Sequence, residues 1–193
     1  MFSRKHPYLF FILIFTSVTS AAMIGLSLLF IFSTRDANFE FGEKVGVIEI
    51  IGAISDSKST IHNLKRFRED NSVKAIVVRI DSPGGGVGPS QEIFREIRKT
   101  SEHKKVIVSM GGVAASGGYY IASGADGIVA NPGTITGSIG VIMGYSNFQE
   151  LLKKIGLVPV VIKSGEYKDI GSPVREMTKK EEEILRNLAN QIH

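Results

Sequence analysis

The chain has 193 residues, of which 43% are hydrophobic and 22% charged, a length that suits one domain with an appendage but not two full domains. It has no cysteine, which excludes disulfides, thiolate metal sites and a cysteine nucleophile. Of the net charge of +4, +3 lies in residues 1–35, which hold Arg4, Lys5 and Arg35 and no acid. The nearly neutral remainder gives no electrostatic case for binding nucleic acid.

An uncharged apolar segment covers residues 8–32. A helix of these 25 residues would span ~37 Å, enough to cross a ~30 Å hydrocarbon core. Because basic residues precede it and acids follow it, the positive-inside rule predicts an inner-membrane anchor with residues 1–7 in the cytoplasm and the body outside. A cleaved signal peptide is the alternative, since Thr19–Ala22 is a run of small residues, but the apolar stretch continues well past it. Residues 33–44 are predicted to be a tether.

Predicted strands and helices alternate through residues 45–193, which form the predicted catalytic domain. The predicted strands are Val45–Ile51, Val73–Ile80, Lys105–Met110, Gly127–Ala130, Ile139–Met143 and Val158–Lys163. The predicted helices are Ser57–Asn71, Ser90–His103, a short one after Ser116, Asn147–Ile155 and one that opens at the capping-box pattern Thr178-x-x-Glu181. This alternation is typical of an α/β domain with a mostly parallel sheet, in which functional loops follow the carboxyl ends of strands.

The first glycine-rich loop, Asp81–Pro89, reads DSPGGGVGP. It is not a phosphate-binding loop, because no Gly-Lys-Ser/Thr follows, and it lacks the third glycine of a dinucleotide fingerprint. Two interpretations stay open: an oxyanion hole made of backbone amides, or simply a tight turn that starts a helix.

The second glycine-rich loop, Gly111–Asp126, places Ser116 among small residues, after a strand and before a helix. That position suits a nucleophile, although Ala114 departs from the G-x-S-x-G pattern of the hydrolase elbow. The alternative is a serine that only caps the helix N-terminus.

A serine nucleophile needs a base, and no histidine lies in a glycine-rich loop after a strand. The four histidines are His6, His62, His103 and His193. A lysine is the alternative base for serine, and Lys168 follows a predicted strand in a turn-rich loop. Lowering a lysine pKa from ~10.4 to ~7 takes about 4–5 kcal/mol, so Glu166 and Asp169 should point away from the amine. The alternative for Lys168 is an ordinary solvated side chain.

The segments DSPGGG, GGVAASGGYYIASGADGIVANPGTITGSIGVI and KSGEYKDIGSPVREMT, in this order, resemble the bacterial signal peptide peptidases of the SppA type. The resemblance runs from about Val45 to the C-terminus, and the N-terminal anchor also matches. It implies a Clp protease/crotonase-like fold and a Ser-Lys dyad. The family's catalytic region normally continues past the position that matches residue 193, so the resemblance implies either a peptidase domain truncated at its C-terminus or an unusually short member of the family.

Individual positions take their expected roles from this resemblance. Ser116 matches the nucleophile, Lys168 the general base, and Ser138 a serine that orients the lysine. The oxyanion hole matches the backbone amides of Gly84, or its close rival Gly85, and of Gly117.

The sequence as a whole therefore predicts a membrane-anchored serine endopeptidase. The resemblance implies that its substrates are signal peptides left in the membrane after preprotein processing, that it needs no metal or organic cofactor, and that it is a homo-oligomer. Two alternatives stay open: an inactive or assembly-only member of the same fold, and a crotonase-type acyl-CoA enzyme, which a transmembrane anchor and a nucleophile-like Ser116 do not suit.

Overall fold

The computed structural model describes residues 6–34 and 42–193. The chain divides into two compact units, Met1–Gly42 and Glu43–His193. The predicted cytoplasmic terminus, residues 1–7, and the predicted tether, residues 33–44, lie mostly outside the described residues and stay predictions.

The first unit contains one long helix, α1, over Pro7–Thr34. Its stretch Tyr8–Leu29 has a hydropathy of 2.2 and is long and apolar enough to cross a membrane. The hydroxyls of Thr16 and Thr19 donate hydrogen bonds to main-chain carbonyls one turn earlier in the helix, so these polar groups need no water. The predicted apolar helix is therefore present.

A parallel sheet forms the centre of the second unit. Its strands are β1 (Lys44–Ile51), β2 (Val73–Ser82), β3 (Lys105–Ala115), β4 (Gly127–Val129) and β5 (Ile135–Gly137). The order is β1-β2-β3-β4, and β5 pairs with the last residues of β3. The predicted α/β class with parallel pairing is confirmed.

Helices cover one face of this sheet. The covering helices are α2 (Lys58–Glu69), α3 (Val87–Ser101) and α4 (Gly117–Ala122). Two more helices, α5 (Gln149–Lys154) and α6 (Lys179–Ile192), follow later in the chain. Every second residue is buried on the helix-covered face, from Gly46 onwards in β1 and from Ile76 onwards in β2, as period-2 side chains require. The core consists chiefly of Ile48, Leu64, Ile76, Val78, Ile80, Ile93, Ile97, Val108 and Ile121. Burying each of these aliphatic side chains contributes about 1.5–3 kcal/mol.

Strand β3 is longer than predicted, because it runs through Gly111 and Gly112 to Ala115 instead of ending at Met110. The glycines mark a register shift, where the pairing of β3 with β2 moves from Met110 to Ala114. At this shift the Asp81 carboxylate accepts a hydrogen bond from a β3 amide, and a Cβ at Gly111 would lie 2.7 Å from that side chain. Gly111 therefore leaves room for the Asp81 side chain beside the strand.

Two predicted strands, Ile139–Met143 and Val158–Lys163, are wrong. The apolar side chains there are solvent-exposed, with Ile142 95% and Ile162 96% accessible. A strand needs a neighbouring strand for its ladder, and none pairs with either segment within residues 42–193. The chain instead forms β5 before the first of them.

Candidate active site

Ser116 stands at a sharp turn between β3 and α4. Its backbone has φ 50° and ψ −120°, a left-handed conformation that costs an ordinary residue about 1–3 kcal/mol. Two hydrogen bonds hold it there: the Ser116 amide donates to the Gly137 carbonyl at 2.7 Å, and the Ser116 carbonyl accepts from the Tyr120 amide at 2.9 Å. Although Ser116 occupies the N-cap position of α4, its side chain makes no capping hydrogen bond. The half-buried hydroxyl is thus left available.

The two glycine-rich loops meet around Ser116, and their glycines permit the close approach. A Cβ at Gly84 would lie 2.8 Å from the Ser116 Cβ, and one at Gly117 would lie 2.4 Å from the Ser90 hydroxyl. Gly84 also has φ +102°, which only glycine adopts readily. No side chain therefore intervenes between the Asp81–Pro89 loop and the serine.

Backbone amides next to Ser116 differ in whether they already have partners. The Gly84 amide donates to the Ser82 hydroxyl at 3.1 Å. An isolated bridge to Ile54 uses the carbonyl of Gly84 and the amide of Gly86, which turns the Gly85 N–H to the opposite side. Within the described part of the chain, neither the Gly85 nor the Gly117 amide donates a hydrogen bond.

These unused amides lie close to one another. The Gly85 nitrogen is 3.5 Å from where a Cβ on Gly117 would be, and the Gly117 nitrogen lies 2.9 Å from the Cβ position of Gly84. Paired N–H groups of this kind can stabilise a developing negative oxygen next to a nucleophile. The arrangement is therefore chemically able to support acyl transfer.

An open cavity of about 610 Å³ contains this site. Polar groups on its wall come from the backbone of Gly85 and Gly117 and from the side chains of Ser90, Gln91, Ser116, Ser123, Ser138 and His193. The apolar and aromatic side chains on the wall include Val87, Tyr119, Tyr120, Ile139, Val141 and Ile142. A largely apolar cleft with a few convergent polar groups is the usual form of a site for an organic or peptide ligand. Across residues 6–34 and 42–193, no cluster of three or more His, Asp or Glu side chains could hold a metal ion.

Ser138 reaches the same cavity through β5. This strand pairs Ala115 of β3 with Gly137, and the Thr136 hydroxyl donates to the Ala114 carbonyl at 2.8 Å. Gly137 and Ser138 then both have positive φ, 77° and 52°, so the chain turns sharply beside Ser116. No strand is predicted from the sequence at these three residues.

Lys168 lies outside the cavity. It is exposed in a turn-rich loop, and its amide donates to the Gly165 carbonyl at 3.2 Å. The cavity wall includes Ser116 and Ser138 but not Lys168. A histidine that the sequence analysis set aside, His193, does line the cavity at the end of α6.

An ion-pair cluster holds the loop that carries Lys168. The Asp169 carboxylate accepts hydrogen bonds from Arg175 Nε at 2.8 Å and Lys163 Nζ at 2.6 Å. Arg175 also binds Glu181, which completes the predicted capping box with Thr178. Hydrogen bonds from Arg175, and to a lesser extent from Lys163, keep the pKa of Asp169 well below its usual range. Arg175 also lowers the pKa of Glu181 to about 2. Sequence analysis missed Arg175, whose partners follow no helical or strand periodicity.

Comparisons with known families agree with this architecture. Residues 43–133 match the Clp protease family, and residues 98–193 match Peptidase family S49. Together the parallel α/β fold and these two matches place the second unit in the class of Clp-like peptidase domains. More particularly, the C-terminal part of the chain, from residue 98 onwards, is similar to peptidase family S49.

Relatives in bacteria and archaea are similar over most of the chain. A protein of Synechocystis sp. named as a protease is 49% identical over 148 residues, 76% of this chain and 53% of its own length. One of Methanocaldococcus jannaschii, also named as a protease, is 34% identical over 206 residues, 98% of this chain and 66% of its own length. One of Enterococcus faecium named as a signal peptide peptidase, SppA, is 40% identical over 124 residues, 64% of this chain and 36% of its own length. The family resemblance inferred from the three motifs is confirmed, and the chain spans only part of each of these relatives.

Proposed function

We propose that this protein is a membrane-anchored serine endopeptidase with Ser116 as its nucleophile. The observation that carries the proposal is the strained turn that presents the Ser116 hydroxyl, without a capping bond, beside two unused amides in an open cleft. Strained backbone of this kind is concentrated at functional sites. An ordinary helix cap would need neither the left-handed conformation nor the amides.

The reaction begins when the Ser116 oxygen attacks the carbonyl carbon of a peptide bond. The carbonyl oxygen becomes negative and accepts hydrogen bonds from the amides of Gly85 and Gly117, an interaction for which each donor contributes ~10²–10³ in rate. Of the two rivals, Gly85 is preferred over Gly84, since the Gly84 amide already donates to Ser82. The amine product leaves with the proton that the base took from Ser116, and water, which returns a proton to the Ser116 oxygen, hydrolyses the acyl-enzyme.

Lys168 is proposed to take the Ser116 proton, with Ser138 orienting its amine. Since Lys168 lies outside the cavity of its own chain, we infer that the lysine enters the cleft of a neighbouring copy. A homo-oligomer is therefore part of the proposal. The exposed apolar residues of Ile139–Ile162 offer surface for such contacts.

The substrates are proposed to be signal peptides left in the membrane after preprotein processing. The apolar helix α1 suits an inner-membrane anchor with its N-terminus in the cytoplasm and the peptidase domain on the extracytoplasmic side. The apolar cleft wall also suits such hydrophobic peptides. This choice of substrate is supported by the similar protein of Enterococcus faecium, which is named as a signal peptide peptidase.

Labelling with a serine-reactive fluorophosphonate in detergent tests the proposal. We expect labelling of the unaltered chain and loss of labelling in Ser116→Ala. Loss is also expected in Lys168→Ala, whereas His193→Ala, which alters the histidine on the cavity wall, should label normally. No labelling of the folded unaltered chain would favour the inactive, assembly-only alternative, and loss in His193→Ala alone would replace the lysine by a histidine base.

A further inference from the structure

Lys168 stands between two acids of its own loop, Glu166 and Asp169. A general base has to be neutral when it accepts a proton, and a free carboxylate close to an amine favours the charged form. The neighbouring acids would therefore oppose the role proposed for Lys168 unless other groups bind them.

Both oxygens of the Asp169 carboxylate are bound elsewhere. Arg175 approaches through Nε at 2.8 Å from Oδ2 and through Nη2 at 2.9 Å from Oδ1, which is the two-pronged geometry of a strong guanidinium–carboxylate pair. Lys163 Nζ adds a third contact, 2.6 Å from Oδ1. The Asp169 side chain is only 14% exposed, so it has little freedom to turn towards the lysine beside it.

Glu166, the other acid, also has partners. Its main-chain carbonyl accepts a hydrogen bond from Lys163 Nζ at 2.7 Å. Its carboxylate interacts with the Tyr167 hydroxyl and raises the pKa of that hydroxyl. From the next element, α6, Lys180 and Glu181 are the charged groups that act on Tyr167.

Arg175 also connects the loop to α6. Its Nη1 donates to Glu181 Oε2 at 2.9 Å, and the same carboxylate accepts from the Thr178 amide at 2.8 Å. The Glu181 side chain is 3% exposed, which makes it a fixed anchor. One guanidinium therefore both neutralises Asp169 and fixes the distance between the loop and the helix.

We propose that Arg175 is a positioning residue for the general base: it holds the Asp169 carboxylate away from Lys168 and fixes the loop against α6, with Lys163 as the second cation. The proposal rests on the proposed role of Lys168. It explains how a lysine between two acids can serve as a base.

The test measures kcat and KM against pH for peptide hydrolysis by the full chain in detergent. Arg175→Gln should lower kcat about tenfold or more near neutral pH, leave KM within about twofold, and move the pH–rate midpoint up by about one unit, because Asp169 is then free to pair with the lysine. Arg175→Lys should keep the midpoint near the original, since it retains the charge. The matched control is Arg186→Gln, which removes an exposed ion pair of α6 with Glu182 and should change neither quantity.

A second substitution separates positioning from simple loss of structure. Arg175→Gln combined with Asp169→Asn removes the freed carboxylate, so the midpoint should return towards the original value. An activity loss without a shift, or a shift that Asp169→Asn leaves unchanged, would overturn the proposal. If Arg175→Gln does not fold, Lys163→Gln provides the same comparison, with a smaller upward shift of the pH–rate midpoint. A Lys163→Gln chain with the original midpoint likewise overturns the proposal.

The failure of this proposal is distinguishable from that of the proposed function. Full turnover by Lys168→Ala would refute the lysine base itself. If Lys168→Ala is inactive while Arg175→Gln keeps the original midpoint, only the positioning role is refuted. In a chain without turnover, NMR titration of ¹³C-methylated lysines measures the same effect: the Lys168 midpoint should rise in Arg175→Gln and fall back with Asp169→Asn, and an unchanged midpoint refutes it.

Discussion

Replacing Gly84 by alanine should destroy the geometry around Ser116 through one added methyl group. Alanine at this position has to adopt φ +102°, and left-handed backbone costs an L-residue about 1–2 kcal/mol. Its Cβ would also lie 2.8 Å from the Ser116 Cβ and 2.9 Å from the Gly117 nitrogen. Neither atom is the end of a flexible side chain, so the turn itself has to move. With about 1 kcal/mol or more for overpacking, we expect Gly84→Ala to lower the free energy of unfolding by about 2–3 kcal/mol.

Gly52→Ala is the matched control for this prediction. Gly52 has φ +73° as well, but a Cβ there would meet no atom within 4 Å. It should therefore lose about 1 kcal/mol of stability and no reactivity. The assay combines urea unfolding followed by circular dichroism with the rate of fluorophosphonate labelling, which should fall at least about tenfold in Gly84→Ala alone. If folded Gly84→Ala and Gly52→Ala react at equal rates, the contact between the two glycine-rich loops does not shape the nucleophile.

Three further predictions concern the base, the assembly and acid pH. Lys168→Arg should be as inactive in peptide hydrolysis as Lys168→Ala, because an arginine cannot deprotonate in a protein, and near-normal turnover would show that the residue supplies only charge. Mixing inactive Ser116→Ala chains with inactive Lys168→Ala chains should restore part of the activity, since some sites would join an intact serine to an intact lysine, and a fully active monomer by light scattering would refute the shared site. The pKa of Glu181 is lowered to about 2 in the folded chain, so its ion pair stabilises the fold above about pH 4.3 and loses that effect as the pH falls towards 2. The protection factors of the α6 amides, which correct hydrogen exchange for its intrinsic pH dependence, should fall over that pH range, and Glu181→Gln should remove this fall.

The elements that could be predicted from the sequence are those that neighbouring residues in the chain determine. Strands β1 and β2 are runs rich in valine and isoleucine that end next to turn residues, and the capping box at Thr178 and Glu181 is present as predicted. Strand β5 could not be predicted, because its three residues exist as a strand only through pairing with β3. The opposite error at Val158–Lys163 has the same origin: an apolar β-branched run forms no strand unless another strand lies beside it.

The candidate site divides in a similar way. Ser116 and the glycines could be found because a strand–glycine–helix sequence indicates a backbone-built site. That the Gly85 amide is available could not be predicted, since this depends on the bridge to Ile54, which turns the Gly85 N–H to the side opposite Ile54. The partners of Arg175 could not be predicted from the sequence either. Asp169 in the loop and Glu181 in α6 each lie six residues from Arg175 along the chain, a spacing that no helix or strand pattern indicates.

The single hydrogen bond from the Ser116 amide to Gly137 makes reactivity more fragile than the fold. It joins Ser116, the proposed nucleophile, to β5, a strand of three residues whose Ile135 is 64% exposed. Short, solvent-accessible pairings open with less free energy than the core strands, so this one separates before β1–β3 do. On heating, we expect such a protein to lose the reactivity proposed for Ser116 while its circular dichroism is still that of the native state. Its working temperature would thus be set by three residues at the margin of the sheet rather than by the aliphatic core.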